Sequence, residues 1–209
     1  MDPLILLAAR ENATWCDTVC RSVGVEGSIR PGLWASAART PPLYPDAVTL
    51  DPATGELDVL GAIDSSPGAS VKDSFCSLDL QGAGFAVLVE ATWIAWTAPR
   101  AAREPWDEVG VEDWVAGHPD SPPFGETLLG DPTVRLLSRG SARFALHDDG
   151  SAVGVSNVVV DDDLWPAVVG EAARRHPGVP VVGYEHGEAL AAALHAGAQA
   201  LGPLRIWLR

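Results

Sequence analysis

The last third of the chain switches between two apolar periods, and that switching restricts the fold more than any other feature. Thr133–Ser138 and Arg143–His147 read as short strands, and Ala152–Val160 as a third that returns after the turn Asp148-Asp149-Gly150. Asp163–Arg175 reads as a helix, opening on acid and closing on base as a helix dipole favours. His176-Pro177-Gly178 stops it. Val179–Tyr184 follows as a buried strand, Glu188–Ala196 as a helix and Leu204–Leu208 as a last strand. Strands and helices in this order bury their apolar faces as a sheet with helices laid on it. The expected class is α/β (α+β mixed).

The upstream sequence is less regular. Leu4–Val23 reads as an amphipathic helix, with Ala9, Ala13, Cys16, Cys20 and Val23 on one face, Asp17 and Arg21 spaced as an ion pair, and Gly24 as the stop. Ala47–Asp51 and Glu56–Ile63 read as a hairpin around Ala53-Thr54-Gly55. Val71–Leu80 fits a strand or a short helix. Phe85–Trp96 is the clearest strand, rich in β-branched and aromatic residues. Ala98–Pro132 is rich in proline and acid. The expected division is an N-terminal lobe over 1–97, a linker or covering segment over 98–132 and a core over 133–209. A weak echo links Gly84-Phe85 and the strand ending at Trp93 with Gly197-Ala198 and the strand ending at Trp207. Two related halves would produce it, although no fixed period supports them.

Charge narrows the partners. Fourteen basic residues face 28 acidic ones, for a net charge of −14, and Lys72 is the one lysine. Such a surface repels nucleic acid and anionic membranes, so a small molecule is the expected partner, with homodimerisation left open. The hydrophobic fraction of 47% supports a folded core, not disorder. Three cysteines, Cys16, Cys20 and Cys76, make no disulfide framework, and the start Met1-Asp2-Pro3 lacks the basic region of a signal peptide. The expected location is cytoplasmic. Cys16 and Cys20 share the apolar helix face and read as core residues, with no metal expected.

Several residues carry possible chemistry. Glu90 interrupts the apolar strand Val87–Trp93; buried, it would serve as a general base, and turned outward it would be a plain surface residue. Tyr184, Glu185 and His186 end a strand and open a helix, which is where open α/β sheets bind ligands. Asn157 interrupts the strand Val153–Val160, either to offer its amide to a ligand or as a bulge. Trp93 and Trp207 end strands and either line an aromatic pocket or fill a seam; Arg205 offers positive charge nearby.

The segment Gly183-Tyr184-Glu185, the ending Ala196-Gly197-Ala198 to Trp207 and the element order over 133–209 resemble the GNAT superfamily. The upstream Asn12, Trp15-Cys16-Asp17 and Asp73-Ser74-Phe75 resemble a related group of bacterial proteins. The resemblance implies a mixed sheet flanked by helices and splayed between its central strands, with the N-terminal helix and lobe packed on it. It also allows a degenerate second GNAT-like half. It implies an enzyme acting on a small metabolite, with acyl transfer to an amine as the reaction and acetyl-CoA as cofactor. Two departures matter. The family holds pyrophosphate on a glycine-rich turn before a helix, whereas Val160–Pro166 here has no glycine and contains Asp161, Asp162 and Asp163. The family's tyrosine acid before the last helix's glycine is replaced here by Ala193-Leu194-His195-Ala196. The alternatives are a GNAT-fold protein that does not use acetyl-CoA and a non-catalytic binding or accessory protein.

Overall fold

The computed structural model describes residues 2–209, and eleven strands among them form one mixed sheet. In chain order these are β1 (Ser28–Arg30), β2 (Leu33–Ala35), β3 (Ala47–Thr49), β4 (Ser70–Asp73), β5 (Ala86–Trp96), β6 (Asp107–Glu108), β7 (Val134–Arg139), β8 (Ala142–Asp148), β9 (Val153–Val159), β10 (Val181–Glu185) and β11 (Gln199–Leu208). Their order across the sheet is β1-β2-β3-β4-β11-β5-β10-β9-β8-β7-β6. The long central pair, β5 with β11, is antiparallel. Outward from it the pairing repeats on the two sides. An antiparallel neighbour comes first (β10 beside β5, β4 beside β11), then a parallel junction (β9–β10, β3–β4), then antiparallel strands. The two strands of the sequence echo are therefore the two central strands.

Helices cover both faces. The first, α1 (Pro3–Ser22), starts at Asp2, whose side chain accepts the Leu4 amide, and Pro3 supplies an N-terminal turn that needs no donor. Ala9, Ala13, Cys16 and Cys20 are buried as its spacing predicts, whereas Val23 lies just past the helix and is exposed. Asp17 and Arg21 pair at 3.3 Å, and Gly24 turns the chain at φ +80°. The N-terminal half of α1, through Ile5, Ala8 and Ala9, lies on the face of β5 formed by Ala91, Trp93 and Ala95, whereas Ala13, Cys16 and Cys20 pack with Trp34, Tyr44 and Val48. Alternate residues Ile94 and Trp96 face the other way, onto α4 (Trp165–Arg175) and α5 (Gly187–His195). No helix among the described residues is long and apolar enough to cross a membrane.

The hairpin expected around Thr54 does not form. Ala47–Thr49 is β3, but Glu56–Leu60 is a short helix, α2. Gly55 takes the extended N-cap conformation, and the Asp58 carboxylate accepts its backbone N–H at 3.1 Å. Val71–Leu80 splits into β4 and a turn in which Asp73 accepts the amides of Phe75, Ser77 and Leu78. The proline-rich 98–132 stretch holds β6 and α3 (Val111–Ala116), and buries Trp106 and Trp114 completely or nearly so. The sheet also crosses the boundaries read from the sequence: β5, from the first 97 residues, stands between β10 and β11.

Candidate functional site

The strands β9 and β10 pair in parallel only at Val181 with Val153 and Val182 with Gly154. Beyond that they part, and a cavity of about 420 Å³ opens where they splay. Ser156 and Asn157 form one wall, Tyr184, Glu185 and His186 the other, and Asn12, Trp15 and Cys16 of α1 lie across it. Lys72 of β4, Tyr44 of the preceding loop and Asp120 also line it.

The β9 wall is bulged. Arg143 pairs with Val159 and Ala145 with Ser156, so two residues of β9 oppose one of β8. Asn157 takes up the irregularity in the left-handed region, at φ +52°, which asparagine tolerates better than most residues. Its side-chain oxygen accepts the Tyr44 hydroxyl at 3.4 Å. Tyr44 is held in turn by a loop built on buried Asp46, which accepts the Thr40 amide and hydroxyl and the Ser70 amide and pairs with Arg39.

The β10 wall ends on three polar residues. Glu185 lies in a partly buried position, and burial pushes its carboxyl up to about 7 against the opposing pull of the His186 backbone N–H. A carboxyl at that value exchanges a proton near neutrality. Tyr184 packs edge-on to Trp93, with ring centroids 5.5 Å apart, and its hydroxyl accepts from the Lys72 ammonium at 3.3 Å. His186 is exposed at the N-cap of α5.

Lys72 is 3% exposed and also donates to Asn12 Oδ1 at 2.7 Å, with its ammonium 4.3 Å from the Tyr184 ring centroid. Burial alone would lower its pKa, but the surrounding Tyr184, Cys16 and Glu11 outweigh that, and the group is held above its ordinary value. Behind the cavity, Glu11 and His147 form a buried pair, Oε1 to Nδ1 at 2.8 Å. Burial raises the Glu11 carboxyl, and His147 offsets part of that rise. Burial likewise pushes the Cys16 thiol up to about 11, so it stays protonated and packs as a small apolar group. Among the described residues no group of three or more His, Cys, Asp or Glu is placed to hold a metal ion.

The structure thus brings Tyr184, Glu185, His186 and Asn157 to one cavity and leaves four other candidates outside it. Glu90 is not a buried base. Its side chain is 69% exposed, and it pairs across the strands with Arg205 at 2.8 Å. The strand looked buried because its outer end carries exposed apolar residues, Val87 and Leu88. Arg205 is occupied by that ion pair. Trp93 is fully buried behind Tyr184 and donates its indole N–H to the Ser74 carbonyl at 2.9 Å. Trp207 packs with Leu33, Val71 and Phe85 in a separate cluster. These two tryptophans are core residues, and neither lines the cavity. Sequence reasoning did not assign Asn12, Lys72 or Tyr44 to the site; the singular lysine was the one available signal.

The segment before α4 bears on coenzyme A. Asp161, Asp162 and Asp163 are exposed around a short 3-10 turn, Asp162–Leu164, and no side chain caps it or α4. These carboxylates take no amide of the turn but stand around it, the Leu164 amide bonds the Asp161 carbonyl at 2.9 Å, and Pro166 lacks an N–H in the first turn of α4. A pyrophosphate at this helix start would meet three carboxylates, so these residues do not fit the group.

No protein-family model matches the sequence, and neither does any curated protein. Solved structures are similar in fold. A GNAT-family protein from Novosphingobium aromaticivorans superposes with a TM-score of 0.54 at 12% identity, over 96% of this chain and 98% of that one. GCN5-related N-acetyltransferases from Sphaerobacter thermophilus and Kribbella flavida give TM-scores of 0.48 and 0.46 at 14% and 12% identity, over 72% and 67% of this chain. This chain spans 62% of the length of the first and 43% of the second. Matched nearly end to end by the Novosphingobium structure, the chain has a GNAT-like fold: a large mixed sheet, flanked by helices and opened at a parallel junction.

Proposed function

We propose that the chain is an enzyme acting on a small molecule held in the splay cavity, with Glu185 as the general base. The observation that carries this reading is the Glu185 carboxyl, raised by burial to about 7 at the open end of β10. A base so poised accepts a proton at neutral pH and returns it readily. Acyl transfer to an amine is the reaction class that the fold suggests: the amine nitrogen attacks the carbonyl carbon of an activated acyl donor, the bond to the leaving group breaks, and the proton lost by the nitrogen passes to Glu185. Tyr184, Asn12 and Asn157 supply hydrogen-bonding groups around the same space. Coenzyme A bound through its pyrophosphate at the start of α4 is not part of this reading, since Asp161–Asp163 oppose it.

Two measurements test it. Titration of the Glu185 side-chain carbon by NMR should give a midpoint near 7; an ordinary carboxylate value removes the base. Calorimetric titration with acetyl-CoA should show no micromolar binding. Micromolar affinity that disappears when Asp161, Asp162 and Asp163 are replaced by lysine would show that the turn serves the cofactor.

A further inference from the structure

Lys72 is a buried cation without a counter-ion. Among the described residues no carboxylate lies within 4 Å of its ammonium, and its two hydrogen-bond partners are the Asn12 amide oxygen and the Tyr184 hydroxyl. The carboxylate of nearby Glu11 is engaged by His147. An ammonium taken out of water this far is strongly disfavoured unless an anion or a dense set of acceptors replaces its hydration. It is also the one lysine in a chain of net charge −14. Placing the lone lysine at a cavity floor suits an anionic ligand better than it suits stability.

A second, apolar cavity of about 530 Å³ adjoins the first. The two share Leu43, Tyr44, Lys72, Val89 and Ile206, so Lys72 stands where they meet. The second cavity opens toward Leu43, Leu88 and Leu208, which are 67%, 58% and 38% exposed. Leu43 is held there in the left-handed region, at φ +73°, an uncommon conformation for leucine that the Asp46-centred loop maintains.

We infer that the two cavities together take a monocarboxylate with an apolar tail, the carboxylate meeting the Lys72 ammonium and the tail lying along Leu43, Leu88 and Leu208. A single negative charge is the match. There is one lysine, no arginine lines the inner cavity, and Glu185 and Asp120 in its lining oppose a dianion such as a phosphate ester. Lys72 acts here as a fixed charge and not as a nucleophile, because a lysine held protonated has no free electron pair to donate. The inference rests on the reading of this cavity as the substrate site and adds the class of molecule it takes.

The test is calorimetric binding to the full chain, using octanoate, octanamide and acetate as probes. Octanoate should bind at least tenfold more tightly than either octanamide or acetate. K72M, which replaces the cation with an apolar side chain of similar reach, should abolish the preference for acid over amide. L88E, at an exposed position, should abolish the preference for octanoate over acetate, and it keeps the test decisive should K72M fail to fold. Equal binding of octanoate and octanamide to the native protein, or an acid preference that survives in folded K72M, overturns the inference. So does failure of all three probes to bind. Binding is read without turnover, so these outcomes are separate from the Glu185 titration that decides the base.

Discussion

At the scale of single residues, Glu185 couples proton binding to stability. Its carboxyl is raised from an ordinary 4.5 to about 7 by burial. Between those values the folded chain keeps a proton that the unfolded chain has lost. Stability therefore falls as pH rises through that window, and the loss is complete above about 7. E185Q has no proton to lose. It should match the native protein near pH 4 and exceed it by on the order of 2–3 kcal/mol near pH 8, read by urea denaturation at each pH. A difference that does not change with pH would mean that the carboxyl titrates in a solvated setting. The placement of Tyr184, Glu185 and His186 could be read from the sequence because a strand end before a turn glycine marks the open edge of an α/β sheet. Lys72 was visible only as an oddity of composition. Its role at the cavity depends on which face of a four-residue strand it occupies, and β4 is too short for its period to show that. Glu90 could not be settled between its two readings for a related reason. Exposed Val87 and Leu88 gave its strand an apolar run without a buried face.

Among elements, the packing of α1 on the sheet depends on one close approach. Gly154 of β9 lies opposite His147 of β8, beneath Glu11 of α1. A Cβ at position 154 would fall 2.1 Å from a Glu11 carboxylate oxygen. Glu11 and His147 are 2% and 3% exposed, and neither can swing into solvent without breaking the buried pair. G154A should therefore cost about 2–3 kcal/mol in denaturant unfolding, a large effect for one methyl group. A loss under about 0.5 kcal/mol would show that the pair relaxes freely. The same site shows why sequence pattern reads some elements and not others. The long helix α1 and the strand β5 carry enough residues for their periods to be plain. The segment Glu56–Leu60 does not: in five residues Leu57 and Val59 alternate like a strand, and only Gly55 with Asp58 signals a helix start.

Over the whole molecule, strand order decides what counts as a folding unit, and this could not be read along the chain. The regular pattern of 133–209 suggests a self-contained core, and its helices lie close to the expected positions, at Trp165–Arg175 and Gly187–His195. Yet β10 and β11 do not touch each other as strands; β5 stands between them, pairing with β10 on one side and β11 on the other. In turn β11 pairs with β4 on its far edge, and Trp207 is buried among Leu33, Val71 and Phe85 of the first 97 residues. Residues 133–209 expressed alone would leave the facing edges of β10 and β11 unpaired and Trp207 in water. Unpaired central edges and a lost aromatic core leave too little burial to offset the ordering of about 77 residues. This fragment should show a poorly dispersed amide NMR spectrum and no cooperative melt, whereas the full chain should unfold in a single calorimetric transition. A fragment that is stably folded, or two separated transitions in the full chain, would mean that each half closes its own sheet and that the shared β5–β11 seam is an interface between independent units.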